Sequence, residues 1–337
     1  MRTYNIAILG ATGAVGREML KVLSERNFPA GEVKALASRN SAGKRVPFGD
    51  RELVVEEATE ASFAGMDFVL GAVSNAMSQK FAPAVKAAGA VYIDNSSAFR
   101  LADDVPLVIP QINPEDAFRH SGIIANPNCS TIVTLMALSG IARLTSIEAM
   151  VACTYQAVSG AGREGIDELQ AQMNAEILGG EKQNKVFPCQ ILSNCIPQIG
   201  SELENGYTTE EMKMQNEGRK ILHMPDLNVC CTCVRVPVMR SHSISVQIRT
   251  GRPVSVEEAK EAIRRAPGCV LAEDVNGRNY PTPLDTSDQD LVYVGRVRRD
   301  LISGENGLAL WCCGDQIRKG AATNAVEIAE LLARKER

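Results

Sequence analysis

Cys129 sits where a thiol can act as a nucleophile. The stretch Ile123-Ile124-Ala125-Asn126-Pro127-Asn128-Cys129-Ser130-Thr131 is an apolar run that ends in a Pro-Asn turn, and a helix is expected at or just after the cysteine. The positive end of a helix dipole and the free N–H groups of its first turn favour a thiolate, the form that attacks carbonyl carbon. The same N–H groups can stabilise an oxyanion formed there. Such a site also needs a group that moves protons, and the chain holds only three histidines, His120, His223 and His242. Imidazole titrates near neutral pH, so the partner of Cys129 is sought in this short list.

A second kind of chemistry is written near the start. The apolar run Tyr4–Leu9 leads into Gly10-Ala11-Thr12-Gly13-Ala14-Val15-Gly16 and then a helical stretch, Val15–Arg26. Glycines permit a tight turn and let backbone N–H groups approach a pyrophosphate at the helix N-terminus. The order of strand, glycines and helix carries more weight than the glycines themselves, and it points to dinucleotide binding. After the next strand, Glu32–Ala37, the chain reads Ser38-Arg39-Asn40-Ser41-Ala42-Gly43-Lys44. An acidic residue there would suit the ribose of NAD. A hydroxyl and a guanidinium at Ser38 and Arg39, with Lys44 as a further candidate, suit the 2′-phosphate of NADP.

These residues need a scaffold. Further strands are expected at Leu53–Val55, Asp67–Val73 and Ala90–Ile93, with a helix at Ala76–Ala88. Helices between buried strands predict an α/β fold, a Rossmann-like doubly wound parallel sheet with right-handed crossovers. After about residue 130 a helix, Thr131–Arg143, precedes longer strand runs at Ile147–Val158, Asn228–Val238, Ser243–Thr250, Leu291–Arg299 and Gly307–Cys312. Clustered strands with fewer helices predict an α+β domain with a mixed or antiparallel sheet. Segments 179–188 and 200–208 read as loops. The closing segment Ile317–Arg337 has apolar residues on one helix face and should complete the first domain. Domain boundaries at 1–130 plus 317–337, and at 131–316, follow.

Composition narrows the function classes. A chain of 337 residues exceeds one usual hydrophobic core. Its net charge of −4 offers no general attraction for nucleic acid or an anionic membrane. No apolar run reaches the roughly 18 residues that a membrane span needs, and the N-terminus enters a strand-like run at once, so no signal peptide is expected. Ten cysteines without regular spacing suit a reducing compartment, and the cytoplasm is the expected location. Cys230, Cys231 and Cys233 alternate along a strand with no second pair nearby, so no metal site is expected.

Five blocks in fixed order resemble the aspartate-semialdehyde dehydrogenase family: Gly10–Gly16, Asn126–Thr131, Tyr155-Gln156-Ala157-Val158-Ser159-Gly160-Ala161-Gly162, Glu210-Glu211-Met212-Lys213, and Arg235-Val236-Pro237-Val238-Met239-Arg240-Ser241-His242-Ser243. The resemblance runs essentially from end to end. It implies NADPH-dependent reduction of L-aspartyl 4-phosphate to L-aspartate 4-semialdehyde with release of phosphate, in the pathway to lysine, threonine, methionine and isoleucine. Cys129 would carry the acyl thioester, His242 would be the acid/base catalyst, and Gln156 would orient the acyl group. Arg235 would grip the α-carboxylate, with Asn128 also at the substrate, and Glu210 or its neighbour Glu211 would face the α-ammonium. Lys213 and Arg100 would hold phosphate. Gly10, Thr12, Gly13, Ala14, Val15, Gly16, Ser38, Arg39, Ser159 and Gly160 would contact the cofactor. Gln316 stands where the family usually has Asn, and keeps both amide functions on a longer stem. A homodimer or a pair of dimers is implied. Two other readings compete. One is N-acetyl-γ-glutamyl-phosphate reductase, whose cysteine block typically reads His-Pro-Gly-Cys; the other is an NADP-binding thiol sensor without turnover.

Overall fold

Along the first part of the chain, short apolar strands alternate with helices, and the result is a seven-stranded sheet. The computed structural model describes residues 2–335. It divides the chain into two compact units, Met1–Asn128 with Ala321–Arg337, and Cys129–Gly320. Met1, Glu336 and Arg337, which the domain ranges and the closing helix include, lie outside the described residues.

The first unit runs β1 (Tyr4–Leu9), α1 (Ala14–Glu25), β2 (Ala30–Ala37), β3 (Arg45–Phe48), β4 (Arg51–Glu57), β5 (Phe68–Gly71), α2 (Asn75–Ala87), β6 (Val91–Asp94) and β7 (Ile123–Ala125). The sheet order is β3-β4-β2-β1-β5-β6-β7, and every pairing is parallel except β3 with β4. β1 is central and almost wholly buried, which explains why it is apolar except for Asn5. β3 and β7 were not anticipated. β3 is a short edge strand containing Pro47, a residue tolerated at edges, and its Arg45 and Pro47 are exposed. The last helix, Thr323–Lys335, puts Ala325, Val326, Ile328, Ala329 and Leu332 into the core that contains Met19, Leu20 and Leu23 of α1.

The second unit starts with α3 (Cys129–Ala142) and β8 (Ile147–Gln156). It continues through α4 (Gly162–Leu178), α5 (Thr209–Leu222), β9 (Asn228–Arg235), β10 (His242–Thr250), α6 (Val256–Arg265), β11 (Cys269–Leu271), α7 (Pro283–Thr286), β12 (Val292–Arg299) and β13 (Gly307–Gly314). The sheet order is β11-β12-β13-β10-β8-β9. It is mixed, with β8–β9 and β11–β12 parallel and the remaining pairs antiparallel. α3 is buried on all sides from Ser130 to Ile141, as a helix apolar all round must be. A side chain at Gly140 would meet the Ala262 carbonyl at 2.2 Å, so glycine lets α6 pack closely against α3.

Two expectations need correction. This unit is richer in helix than its sequence suggested, because α4 and α6 carry mostly polar residues and lack long apolar runs. The C-terminal segment is not one helix. Residues Arg318–Ala322 form a π-helical turn, and the α-helix begins only at Thr323. Asp315 explains the interruption: its carboxylate accepts the N–H groups of Ile317 and Arg318, and its carbonyl accepts the Gly320 N–H at 3.0 Å, an i to i+5 bond.

Candidate active site

Cys129 is the first residue of α3, and its Sγ lies 3.4 Å from Nε2 of His242, the first residue of β10. His242 is fully buried. Its other ring nitrogen, Nδ1, accepts a hydrogen bond from the Ala157 backbone N–H at 3.1 Å. A backbone amide can only donate, so the hydrogen of the neutral ring resides on Nε2 and points toward the sulfur. Burial, and then the positive charge of Arg235, press the ring's pKa down from 6.5 to about 3 against an opposing pull from Glu210. At neutral pH the imidazole is therefore uncharged and donates toward the sulfur.

The residue before it, Ser241, has φ of 72°, a left-handed conformation uncommon for a residue with a side chain. Its N–H is held at 2.7 Å by Oε1 of Gln316, whose Nε2 donates a short hydrogen bond to Oγ of Ser159. Gln316 thus ties the β10 start to the turn Val158–Ala161. Glycines make room around Cys129 and its neighbours. A Cβ on Gly160 would stand 2.7 Å from Arg235 Nη1, and one on Gly320 would stand 2.9 Å from Cys129 Cβ.

Gln156 and Arg235 end β8 and β9 in matching register. Arg235 is buried, and its Nη1 donates to the Ala157 carbonyl at 2.7 Å. Burial lowers its pKa, while Cys129 and Glu210 act in the opposite direction. Glu210 accepts from Gln156 Nε2 at 3.3 Å and from Lys213 Nζ at 2.7 Å. Gln156 Oε1 is in turn held by Thr154 Oγ1 at 3.0 Å. The two adjacent carboxylates of α5 divide their work. Glu211 caps its own helix through the Thr208 N–H at 2.7 Å and holds the Cys233 N–H at 2.9 Å, whereas Glu210 faces the charged cluster. A carboxylate, an ammonium and a guanidinium beside a thiol form a surface for a small zwitterionic or anionic substrate.

In the first unit, Gly10 has φ of +92°, and a Cβ there would meet the Ala72 carbonyl at 2.3 Å. A Cβ on Gly16 would lie 2.2 Å from the Gly10 carbonyl, so strand and helix can join this tightly only with glycine. Gly13, by contrast, would bring a Cβ only to 3.4 Å from the Gly10 carbonyl, and it caps the N-terminus of α1, with Ala14, Val15 and Gly16 forming the first turn. The adjoining cleft of about 440 Å³ is lined by Thr12, Gly13, Ser38, Arg39, Glu57 and Lys80, among others. That volume falls in the range of about 300–1,000 Å³ usual for small-molecule sites. Lys44 is not part of its lining. The glycine cradle, the first turn of α1 and the cations Arg39 and Lys80 fit a phosphorylated dinucleotide. Arg100 is buried in the same unit, donating to the carbonyls of Asn126 at 2.9 Å and Asn95 at 2.7 Å, and Asn128 is buried as well.

A family description, semialdehyde dehydrogenase NAD binding domain, matches residues 5–120, and a second, semialdehyde dehydrogenase dimerisation domain, matches residues 138–319. An aspartate-semialdehyde dehydrogenase from Synechocystis is 48% identical over 327 residues, covering 97% of this chain and 96% of the relative. The chain belongs to the aspartate-semialdehyde dehydrogenase family. A crystal structure of the family's enzyme II from Vibrio cholerae, complexed with ASA, matches with a TM-score of 0.95 and 45% identity, covering 99% of each chain. A Candida albicans member solved with NADP matches with a TM-score of 0.76 and 25% identity, again over 99% of each chain. Members of this family are oxidoreductases of amino-acid biosynthesis, and the chain is an enzyme of that kind.

Among the residues singled out from sequence, the second unit gathers Cys129, Gln156, Ser159, Gly160, Glu210, Lys213, Arg235, His242 and Gln316. The first unit gathers Gly10, Thr12, Gly13, Ser38 and Arg39 around its cleft. His120 and His223 stand elsewhere, at the ends of the turn Pro114–Arg119 and of α5. Sequence reasoning missed Ala157, which acts through its backbone, and Asp315, whose buried carboxylate organises the π turn. It also missed Lys80, which reads as an ordinary exposed helical lysine. Cys231 and Cys233 face each other at 3.8 Å between sulfurs, and no group of three or more metal-ligating side chains exists among the described residues. No helix among the described residues is long and apolar enough to cross a membrane.

Proposed function

We propose that this chain catalyses the NADP-dependent reductive dephosphorylation of L-aspartyl 4-phosphate to L-aspartate 4-semialdehyde through a thioester on Cys129. It would do so in the pathway to lysine and diaminopimelate, threonine, methionine and isoleucine. The observation that carries the reading is the contact between Cys129 Sγ and the Nε2 of His242 at the N-terminus of α3, beside Arg235 and Glu210. Attack by the Cys129 sulfur on the acyl carbon forms the C–S bond and breaks the C–O bond to phosphate, which leaves carrying the electron pair. The first-turn amides of α3 and the Nε2–H of His242 stabilise the oxyanion of that step. NADPH, when bound, would supply the hydride needed to reduce the acyl carbon. Expulsion of the Cys129 thiolate from the resulting alkoxide then yields the aldehyde, and the released phosphate takes up the proton consumed overall. His242 is the acid/base catalyst of this proposal, and the Ala157 N–H sets its resting tautomer with the proton on Nε2.

Arg235 binds the α-carboxylate through its forked donors, with Asn128 at the same substrate, and Glu210 takes the α-ammonium. Gln156 orients the acyl group, while Lys213 and Arg100 hold the phosphate. Gly10 to Gly16, Ser38 and Arg39 hold NADP, with Ser159, Gly160 and Gln316 as further contacts. The NADP named for the Candida relative supports that choice. The cofactor domain is assigned to 1–130 with the C-terminal helix, and the catalytic and dimerisation domain to 131–316. The working form is a homodimer or a pair of dimers. Its support is the dimerisation description and the sheet face on which Val151 and Tyr155 are exposed beside a half-buried Trp311. Ten cysteines without regular spacing support a cytoplasmic location.

The test is a spectrophotometric assay of phosphate-dependent NADP reduction with L-aspartate 4-semialdehyde and, separately, N-acetyl-L-glutamate 5-semialdehyde. Turnover of the first and not the second is expected. Preference for the second would assign the chain to the longer acyl phosphate, and NADP binding without turnover of either would make it a sensor.

A further inference from the structure

Residues 179–199, read from sequence as starting in a loop, are held unusually firmly for an irregular segment. Two buried polar side chains on α4 hold them. Glu168 accepts the N–H of Lys185 at 2.6 Å and that of Val186. Gln172 donates to the Gln183 carbonyl at 3.0 Å and to Asn184 Oδ1 at 3.1 Å, and it accepts the N–H groups of Ile191 and Leu192 at 3.2 and 2.9 Å. At the far end of the segment, Ile196 exchanges both backbone hydrogen bonds with Arg235, at 2.9 and 2.8 Å. Between these anchors lies Phe187, buried in an apolar cluster with Val158, Leu169, Ile191 and Ile196. Its ring centroid is 5.9 Å from Cζ of Arg235. The segment and Arg235 together line a cavity of about 350 Å³, to which Ala161 and Gly200 also contribute.

A guanidinium has several rotatable bonds and loses its bidentate advantage when it can swing. Here one edge is fixed by the Ala157 carbonyl and one side by an aromatic ring. We infer that Phe187 is a positioning residue that sets Arg235 for recognition of the substrate's α-carboxylate, and that Glu168 and Gln172 serve to hold that ring in place. This rests on the reading of Arg235 as the carboxylate ligand.

The experiment measures kcat/KM of the full-length enzyme for L-aspartate 4-semialdehyde and for 3-aminopropanal, the same aldehyde without its carboxylate. Phe187→Leu keeps apolar volume but removes the ring face. It should lower kcat/KM for the first substrate about tenfold, mainly through KM, the size expected of a buried cation–π contact. The value for 3-aminopropanal should change less than about twofold, and Phe187→Tyr should restore wild-type selectivity. Equal losses on both substrates, or no loss of selectivity, would overturn the inference. Arg235→Ala in the same assay separates the two levels. If it leaves selectivity intact, the carboxylate reading fails and this one with it. If it removes selectivity while Phe187→Leu does not alter it, only the role of Phe187 fails.

Discussion

The cofactor cleft and the catalytic cluster are built on opposite principles. Around the cleft, the surface offered to a ligand is largely backbone. Gly10 and Gly16 admit no Cβ, and Thr12, Ser38, Arg39 and Lys80 add polar side chains suited to phosphate. In the cluster, side chains from α3, β8, α5, β9 and β10 meet, and nearly every polar atom named is fixed by another. A backbone cradle tolerates change in its few side chains, which retune its preference. A cluster of interlocked side chains fails when one is removed.

The largest effect expected from that contrast is at the sulfur. Cys129→Ala should reduce phosphate-dependent semialdehyde oxidation by more than about a thousandfold, because the covalent route is lost, while NADP affinity by fluorescence titration stays within about twofold. Activity near that of wild type would remove the thioester from the mechanism. Next is Arg235→Lys, which replaces a fork by a point charge in a buried site. KM for the semialdehyde should rise about ten- to a hundredfold, and unchanged kinetics would take Arg235 out of the substrate site. At the cleft, Arg39→Asp should act more mildly. The ratio of kcat/KM for NADP over NAD should fall about tenfold with each maximal rate little altered, since the backbone cradle is untouched. An unaltered ratio would move the 2′-phosphate contact to Ser38 or Lys80.

The smallest effect is one of pH. An unfolded histidine protonates near 6.5, whereas His242 in the fold stays neutral down to about pH 3. Its contribution to stability is therefore complete above the upper value and is lost as pH falls between the two. His242→Gln should flatten the decline of Tm over that window by a few degrees. A slope identical to that of wild type would mean that the ring titrates normally and is not enclosed as described.

Legibility from sequence followed the same division. β1, the glycine turn and α1 could be read because a short, nearly continuous apolar run gives way to helical spacing across residues that only a tight turn explains. Cys129 was legible because its position at a helix start has a chemical meaning. What failed to show was of two kinds. α4 has few apolar residues, and its buried Glu168 and Gln172 look like ordinary surface positions until the loop they hold is seen. Ala157 touches both His242 and Arg235 through its backbone alone, and no side-chain pattern reports that. The different surroundings of Glu210 and Glu211 were equally hidden, because both are buried on the first turn of α5 and only their hydrogen-bond partners distinguish them.

One measurement bears on the central mechanism most directly. Enzyme mixed with L-aspartate 4-semialdehyde and NADP without phosphate, quenched in acid and digested, should show by mass spectrometry an aspartyl thioester on the peptide containing Cys129. The adduct should disappear when phosphate is added before quenching. An adduct on another cysteine, or steady turnover with no adduct on any, would contradict the account.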